Sequence, residues 1–155
     1  MNLKASDIMT QPVVAVNEAA PVKDLIQLLN EKSISGVPVV DDEGGLVGVI
    51  SITDLLAANI GDDELGPADF HTSPSMDGLT ELNPLLSPDE DIEQHPVREL
   101  MSRNSVTAPE DSPIGAMSKI LVSNRIHRLV IVRDGRPIGI VSVGDILRAL
   151  GASSD

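Results

Sequence analysis

A pattern that occurs twice in one chain constrains the fold more than any single motif, because two like units must then be packed against each other. Residues 125–147 read RIHRLVIVRDGRPIGIVSVGDIL. They hold an apolar run at 129–132, a tight Asp134-Gly135 turn, a second apolar run at 138–141, and Ser142-x-x-Asp145 at the head of a helix. Residues 33–56, SISGVPVVDDEGGLVGVISITDLL, repeat that order. At a shift of 92 residues Met9 falls on Met101, Glu18 on Glu110, Pro21 on Pro113 and Ile34 on Ile126. The first hairpin turn is one residue longer, so beyond it the shift is 91: Gly48 falls on Gly139, Ser51 on Ser142 and Asp54 on Asp145. The chain is a duplication, and function is expected between the copies.

The elements follow from spacing. A short helical lead-in is expected at residues 4–9 and a brief strand at 13–16. Pro21 sits where a first-turn proline is favoured, and Val22, Leu25, Ile26 and Leu29 recur at helical spacing up to Lys32. Residues 37–40 and 46–50, separated by Asp42-Glu43-Gly44-Gly45, read as a hairpin. A second helix, through Ile52, Leu55 and Leu56, fades by Asn59. In the second copy residues 98–102 match the lead-in, 105–108 the first strand, and Pro113 opens a helix through Ile114, Met117, Ile120 and Leu121. Pro38 and Pro137 are read as strand-edge prolines. The domains are therefore 1–60, first repeat; 61–96, insert; and 97–155, second repeat. The insert has five prolines, ten acidic residues and no Lys or Arg, and reads as a long acidic loop that Phe70 and Leu85-Leu86 pin to the surface.

One Phe and no Trp or Tyr among 155 residues leave an aliphatic core. No apolar run approaches the ~20 residues that span a bilayer, and the start MNLKASDIMT has no signal-peptide core, so a cytoplasmic protein with no membrane partner is expected. The absence of Cys excludes thiolate metal sites, disulfides and a Cys nucleophile. A net charge of −13 argues against nucleic acid as a partner. Residues 97–155, by contrast, carry eight Lys/Arg against six Asp/Glu, with Arg125, His127, Arg128, Arg133 and Arg136 close together. An anionic small molecule would find its partners there.

A strand, helix, hairpin and closing helix, present twice and ending both times in G-h-h-S-x-x-D, resembles the CBS domain family, in which two copies pair into a Bateman module. The likeness covers roughly residues 1–58 and 97–150. Asn124-Arg125-Ile126-His127-Arg128-Leu129 also resembles the nucleotide-sensing regulatory subunits of AMP-activated protein kinases. The resemblance implies an α/β (α+β) fold of two β-α-β-β-α repeats related by a pseudo-twofold axis, with two clefts that bind AMP, ADP, ATP or S-adenosylmethionine. It also implies a homodimer formed through exposed helix faces. Leu28, off the main stripe of its helix, and the broad apolar face at 117–122 point the same way.

Ser51-x-x-Asp54 and Ser142-x-x-Asp145 are first of all helix capping boxes. A carboxylate at such a junction can also accept hydrogen bonds from the vicinal hydroxyls of a ribose, the role the resemblance assigns to Asp54 and Asp145 with Ser51 and Ser142. His127 and Arg128, with Arg125, are the candidate phosphate ligands; the first copy has Ser35 and Gly36 at the matching places, so at most one strong phosphate site is expected. The resemblance makes Val14, Val37, Val106 and Leu129 candidates for an adenine slot, and for at least half of them the simpler expectation is a core strand residue. No Gly-rich phosphate loop or H-E-x-x-H occurs, and His71 and His95 lie in the insert away from any nucleophile, so no enzyme, catalytic residue, required cofactor or bound metal is expected. The expected function is a stand-alone regulatory module that binds an adenine nucleotide and signals occupancy to an unidentified protein. The alternative is a ligand-free dimerisation scaffold whose Ser/Asp pairs serve only as caps.

Overall fold

The computed structural model describes residues 2–55 and 90–153. Its elements run α1 (Ala5–Ile8), β1 (Val16–Asn17), α2 (Val22–Lys32), β2 (Gly36–Val40), β3 (Leu46–Ser51), a helical turn at 52–55, α3 (Glu90–Gln94), a 3₁₀ turn (Val97–Glu99), β4 (Thr107–Pro109), α4 (Ile114–Asn124), β5 (Arg128–Arg133), β6 (Arg136–Ser142) and α5 (Val143–Ser153). Two sheets form, in the orders β1-β2-β3 and β4-β5-β6. Each has a parallel first pair and an antiparallel hairpin, with a bulge between Val39 and Val40 in one and between Ile131 and Val132 in the other.

The duplication extends to backbone detail. The equivalent helices α2 and α4 both end on a residue in the left-handed region, Ser33 at φ 53° and Arg125 at φ 54°. The amide that follows each turns back to the helix: Ile34 N–H donates to Leu29 O (3.1 Å) and Ile126 N–H to Leu121 O (3.0 Å). Pro21 and Pro113 occupy the N-cap rather than the first helical position the sequence suggested. The first strands are shorter and later than expected, because only Val16–Asn17 and Thr107–Pro109 pair with a neighbour. Pro38 lies in the central strand, not at an edge. It is tolerated there because β1 pairs only with Val39 and Val40, so the side without an N–H meets no ladder. The expected acidic loop is helical over Glu90–Gln94; Phe70, His71 and Leu85-Leu86 fall outside the described residues.

Two aliphatic cores and a seam hold the copies. Val22, Leu25, Leu29, Val37, Val39 and Ile50 centre the first core; Met117, Leu121, Leu129, Ile131 and Val141 centre the second. Each fully buried Leu or Ile contributes about 1.5–3 kcal/mol of burial free energy. Val49 and Val130, flanked by Leu46, Val132 and Ile140, form the seam between the two sheets.

The lead-ins are exchanged. Ala5, Ile8 and Met9 pack into the core of the second copy, whereas Val97, Leu100 and Met101 pack into that of the first. The backbone bonds are reciprocal: Ala5 N–H to Ser112 O (2.9 Å) answers Val97 N–H to Ala20 O (2.8 Å), and Ser6 N–H to Glu110 O answers Arg98 N–H to Glu18 O (both 3.0 Å). Thr10 then bridges Ile140 on β6, and Ser102 bridges Val49 on β3. At these bridges a side chain has no room. A Cβ on Gly48 would lie 2.5 Å from the Ser102 carbonyl oxygen, and one on Gly139 would lie 2.5 Å from Met9 Sδ. Among the described residues no helix is long and apolar enough to cross a membrane.

Candidate functional site

Each hairpin ends by turning directly into a helix, and the turn brings the same groups together twice. Ser51 N–H donates to Asp54 Oδ2 (2.9 Å), and Ser142 N–H to Asp145 Oδ2 (2.9 Å). In the second copy the box closes, with Asp145 N–H donating to Ser142 Oγ at 3.1 Å. Ser35 O accepts from Ile52 N–H, and His127 O accepts from Val143 N–H, both at 2.9 Å. The start of each central strand is thus tied to the junction of its own copy: Ser35 stands beside Asp54, and His127 beside Asp145.

The side chains differ. At the first junction the Ser51 hydroxyl shares a 2.7 Å hydrogen bond with Thr53 Oγ1 and donates to Asp54 Oδ2 at 3.3 Å. At the second, position 144 is glycine, and Arg148 donates through Nη2 to Asp145 Oδ1. Asp145 is buried, with 7% of its surface exposed.

Arg128 crosses between the copies. Its guanidinium donates through Nη1 to Ser35 Oγ (3.1 Å), and Ser35 is itself buried. Burial pushes the Arg128 pKa below its ordinary value, but an arginine starts so high that it stays charged at neutral pH. The cationic cluster read from the sequence is therefore divided. Arg128 reaches the Asp54 side, while His127, exposed, stays on the Asp145 side through its backbone. Arg125 occupies the left-handed helix terminus and is exposed. Arg128 opens β5 whereas His127 lies in the bend before it, and the two neighbours part there.

Of the four candidates for an adenine slot, Val37 and Leu129 are fully buried inside the two cores. Val14 and Val106 are half-buried and pack on the margins of those cores. Their backbones differ in one respect. Val130 N–H donates to Val106 O (3.1 Å), whereas the matching donor position in the first copy is Pro38, which has no N–H.

This geometry is duplicated through sheet order, junctions and exchanged lead-ins. The CBS domain family model matches residues 5–61 and again 97–152. The chain belongs to the CBS domain family. Among relatives of this CBS pair, an uncharacterised protein of Methanocaldococcus jannaschii, MJ1426, is 34% identical over 93% of the chain and 89% of its own length. The chloroplastic CBS domain-containing protein CBSX2 of Arabidopsis thaliana is 32% identical over 92% of the chain; the chain spans 61% of that relative's length. A crystal structure of CBSX2 in complex with AMP superposes with a TM-score of 0.70, 29% identity and 98% of each chain covered.

Three residues of the CBS pair's junctions escape a reading by motif. Thr53 is an unremarked x of S-x-x-D, and Ser35 is an uncharged residue before a strand. Arg148 falls beyond the motif. For Arg148 a signal was present, since an arginine three residues after an aspartate on a helix lies on the same face.

Proposed function

We propose that this CBS pair is a regulatory module that binds an adenine nucleotide in the cleft holding Asp54, Ser51, Thr53 and Arg128, and passes its occupancy to a partner protein. The observation that carries the reading is the Arg128 guanidinium placed beside Ser35 across the two copies. A carboxylate for a ribose diol and a cation for a phosphate then come from different copies, so one ligand bridges both. A ligand can shift an equilibrium only by binding one arrangement better than another, and a bridging ligand meets that condition. The Asp145 cleft has glycine at position 36 where the other copy has Arg128, so it gains no arginine from the opposite copy at that place and is the weaker phosphate site. The AMP complex of CBSX2 supports the adenine-nucleotide class. In this reading residues 1–60 and 97–155 are the working halves, with 61–96 an insert between them, and Ser142 and Asp145 hold the second ribose position.

A second reading, an interaction scaffold, is favoured by one surface. Val143, Leu147 and Leu150 of α5 and Val122 of α4 are large apolar residues left exposed. Leu28 does not contribute, because it packs against the first core. The two readings are compatible if these helices form the homodimer and the clefts stay open.

A thermal-shift titration with AMP, ADP, ATP and S-adenosylmethionine separates them. A ligand at about a hundred times its Kd adds about 2.7 kcal/mol of apparent stability. A nucleotide-dependent rise, lost in Asp54→Asn and in Arg128→Ala, is expected. Asparagine still caps a helix, so Asp54→Asn changes the ligand response far more than the basal stability. A dimer free of co-purified nucleotide that responds to none of the four ligands is a scaffold.

A further inference from the structure

The two junctions share a motif but differ in the residues set around it. Asp145 has both carboxylate oxygens engaged, Oδ2 by the Ser142 amide and Oδ1 by Arg148. The arginine comes from one turn further along α5, and 74% of its side chain is exposed. It lies over Gly144: a Cβ at that glycine would stand 3.5 Å from Arg148 Nη1 and 3.5 Å from Ser142 Oγ. The first copy has Thr53 at the place of Gly144, a hydroxyl instead of open backbone. By the same alignment it has Ala57 at the place of Arg148, a residue with no charge.

A vicinal diol binds a carboxylate by donating two hydrogen bonds to it. An oxygen that already accepts from a guanidinium offers less negative charge and fewer free lone-pair directions to that diol. The contact is a charge-assisted bond to a buried carboxylate, so it competes effectively. Most of the arginine side chain faces water, so it can also be displaced at moderate cost. We propose that Arg148 is a positioning residue that withholds the Asp145 carboxylate from a ribose diol, making the second cleft selective against ribonucleotides. The proposal rests on the nucleotide reading above.

The test is calorimetric titration with AMP and 2′-deoxy-AMP on the full chain. Asp54→Asn removes the ribose contact of the first cleft, so residual binding reports the second. Adding Arg148→Ala to Asp54→Asn is expected to tighten AMP binding about tenfold, the scale of one hydrogen bond to a charged group. The affinity for 2′-deoxy-AMP, which has no vicinal diol, should hardly change. Arg148→Gln, which keeps a donor but loses the charge, should fall between. Equal tightening for both nucleotides would mean a general charge effect and overturn the proposal; so would weaker AMP binding, which would make Arg148 a ligand contact. If the parent chain binds AMP but Arg148→Ala leaves the second cleft unchanged, the proposal fails while the nucleotide reading stands. If neither the parent nor any variant binds AMP, both fall.

Discussion

Replacing Gly48 by alanine tests whether the exchanged lead-ins are a main support of the fold. The new Cβ would lie 2.5 Å from the Ser102 carbonyl oxygen and 2.9 Å from Met101 Sδ. The thioether can swing aside; the carbonyl cannot, because it accepts Val49 N–H at 2.9 Å while Ser102 N–H donates to Val49 O at 2.8 Å. Overpacking costs about 1–3 kcal/mol and each loosened backbone bond about 0.5–1.5 kcal/mol. Alanine restricts the unfolded chain and returns about 0.4–1 kcal/mol, leaving a net loss of about 3 kcal/mol. For a chain of this length that is a fall in Tm of roughly 6–12 °C. Gly139→Ala is the internal control. The three atoms nearest its Cβ are Met9 Sδ, Cγ and Cβ, with no backbone atom among them, and a methionine that repacks about its χ angles should hold the loss to about 1 kcal/mol. Urea unfolding of both variants, with m unchanged, measures the difference. A double-mutant cycle with Met9→Ala should show favourable coupling to Gly139→Ala. If Gly48→Ala is no less stable than Gly139→Ala, the backbone bridge is not what the glycine protects.

Two further outcomes follow from the surface. Leu147→Glu, in the middle of the exposed stripe on α5, should convert a dimer into a monomer by light scattering without lowering monomer stability; a native chain that is already monomeric removes the claim. The exposed Arg133 guanidinium, hydrogen-bonded to Glu110, holds that carboxyl below the ordinary glutamate range. Its stabilisation is fully present above the unfolded-state pKa, near ~4.3, and fades as pH falls through the lower folded value. The stability gap between the native chain and Glu110→Gln should therefore be small at neutral pH and shrink further in acid, as followed by urea unfolding from pH 6 to 3.

What was legible in the sequence was local. Turn residues, helical spacing and the Ser-x-x-Asp caps gave the hairpins, helices α2 and α4 and both junctions close to their observed limits. The family was legible because duplication fixes order and spacing together. The lead-in exchange was not, since residues 4–10 and 97–102 carry no mark of which core they enter, and proximity in sequence favours the wrong one. The separation of the phosphate candidates was not legible for a related reason. Arg125, His127 and Arg128 are adjacent in the chain, but a left-handed turn followed by a strand sends their side chains to different places. Val37 and Leu129 went to the core because the sheets are covered on the faces those residues share, a tertiary fact.

The reciprocal lead-ins also bear on how the protein is made. A ribosome delivers residues 2–55 before Val97 to Ser102 exist, so the first sheet emerges with the edge of β3 uncovered and part of its core unfilled. Its completion must wait for the start of the second half, and the second half cannot close until the earliest residues of the chain return to it. The nascent first half is thus a partner in search of a segment, and during that interval a second nascent chain offers the same one.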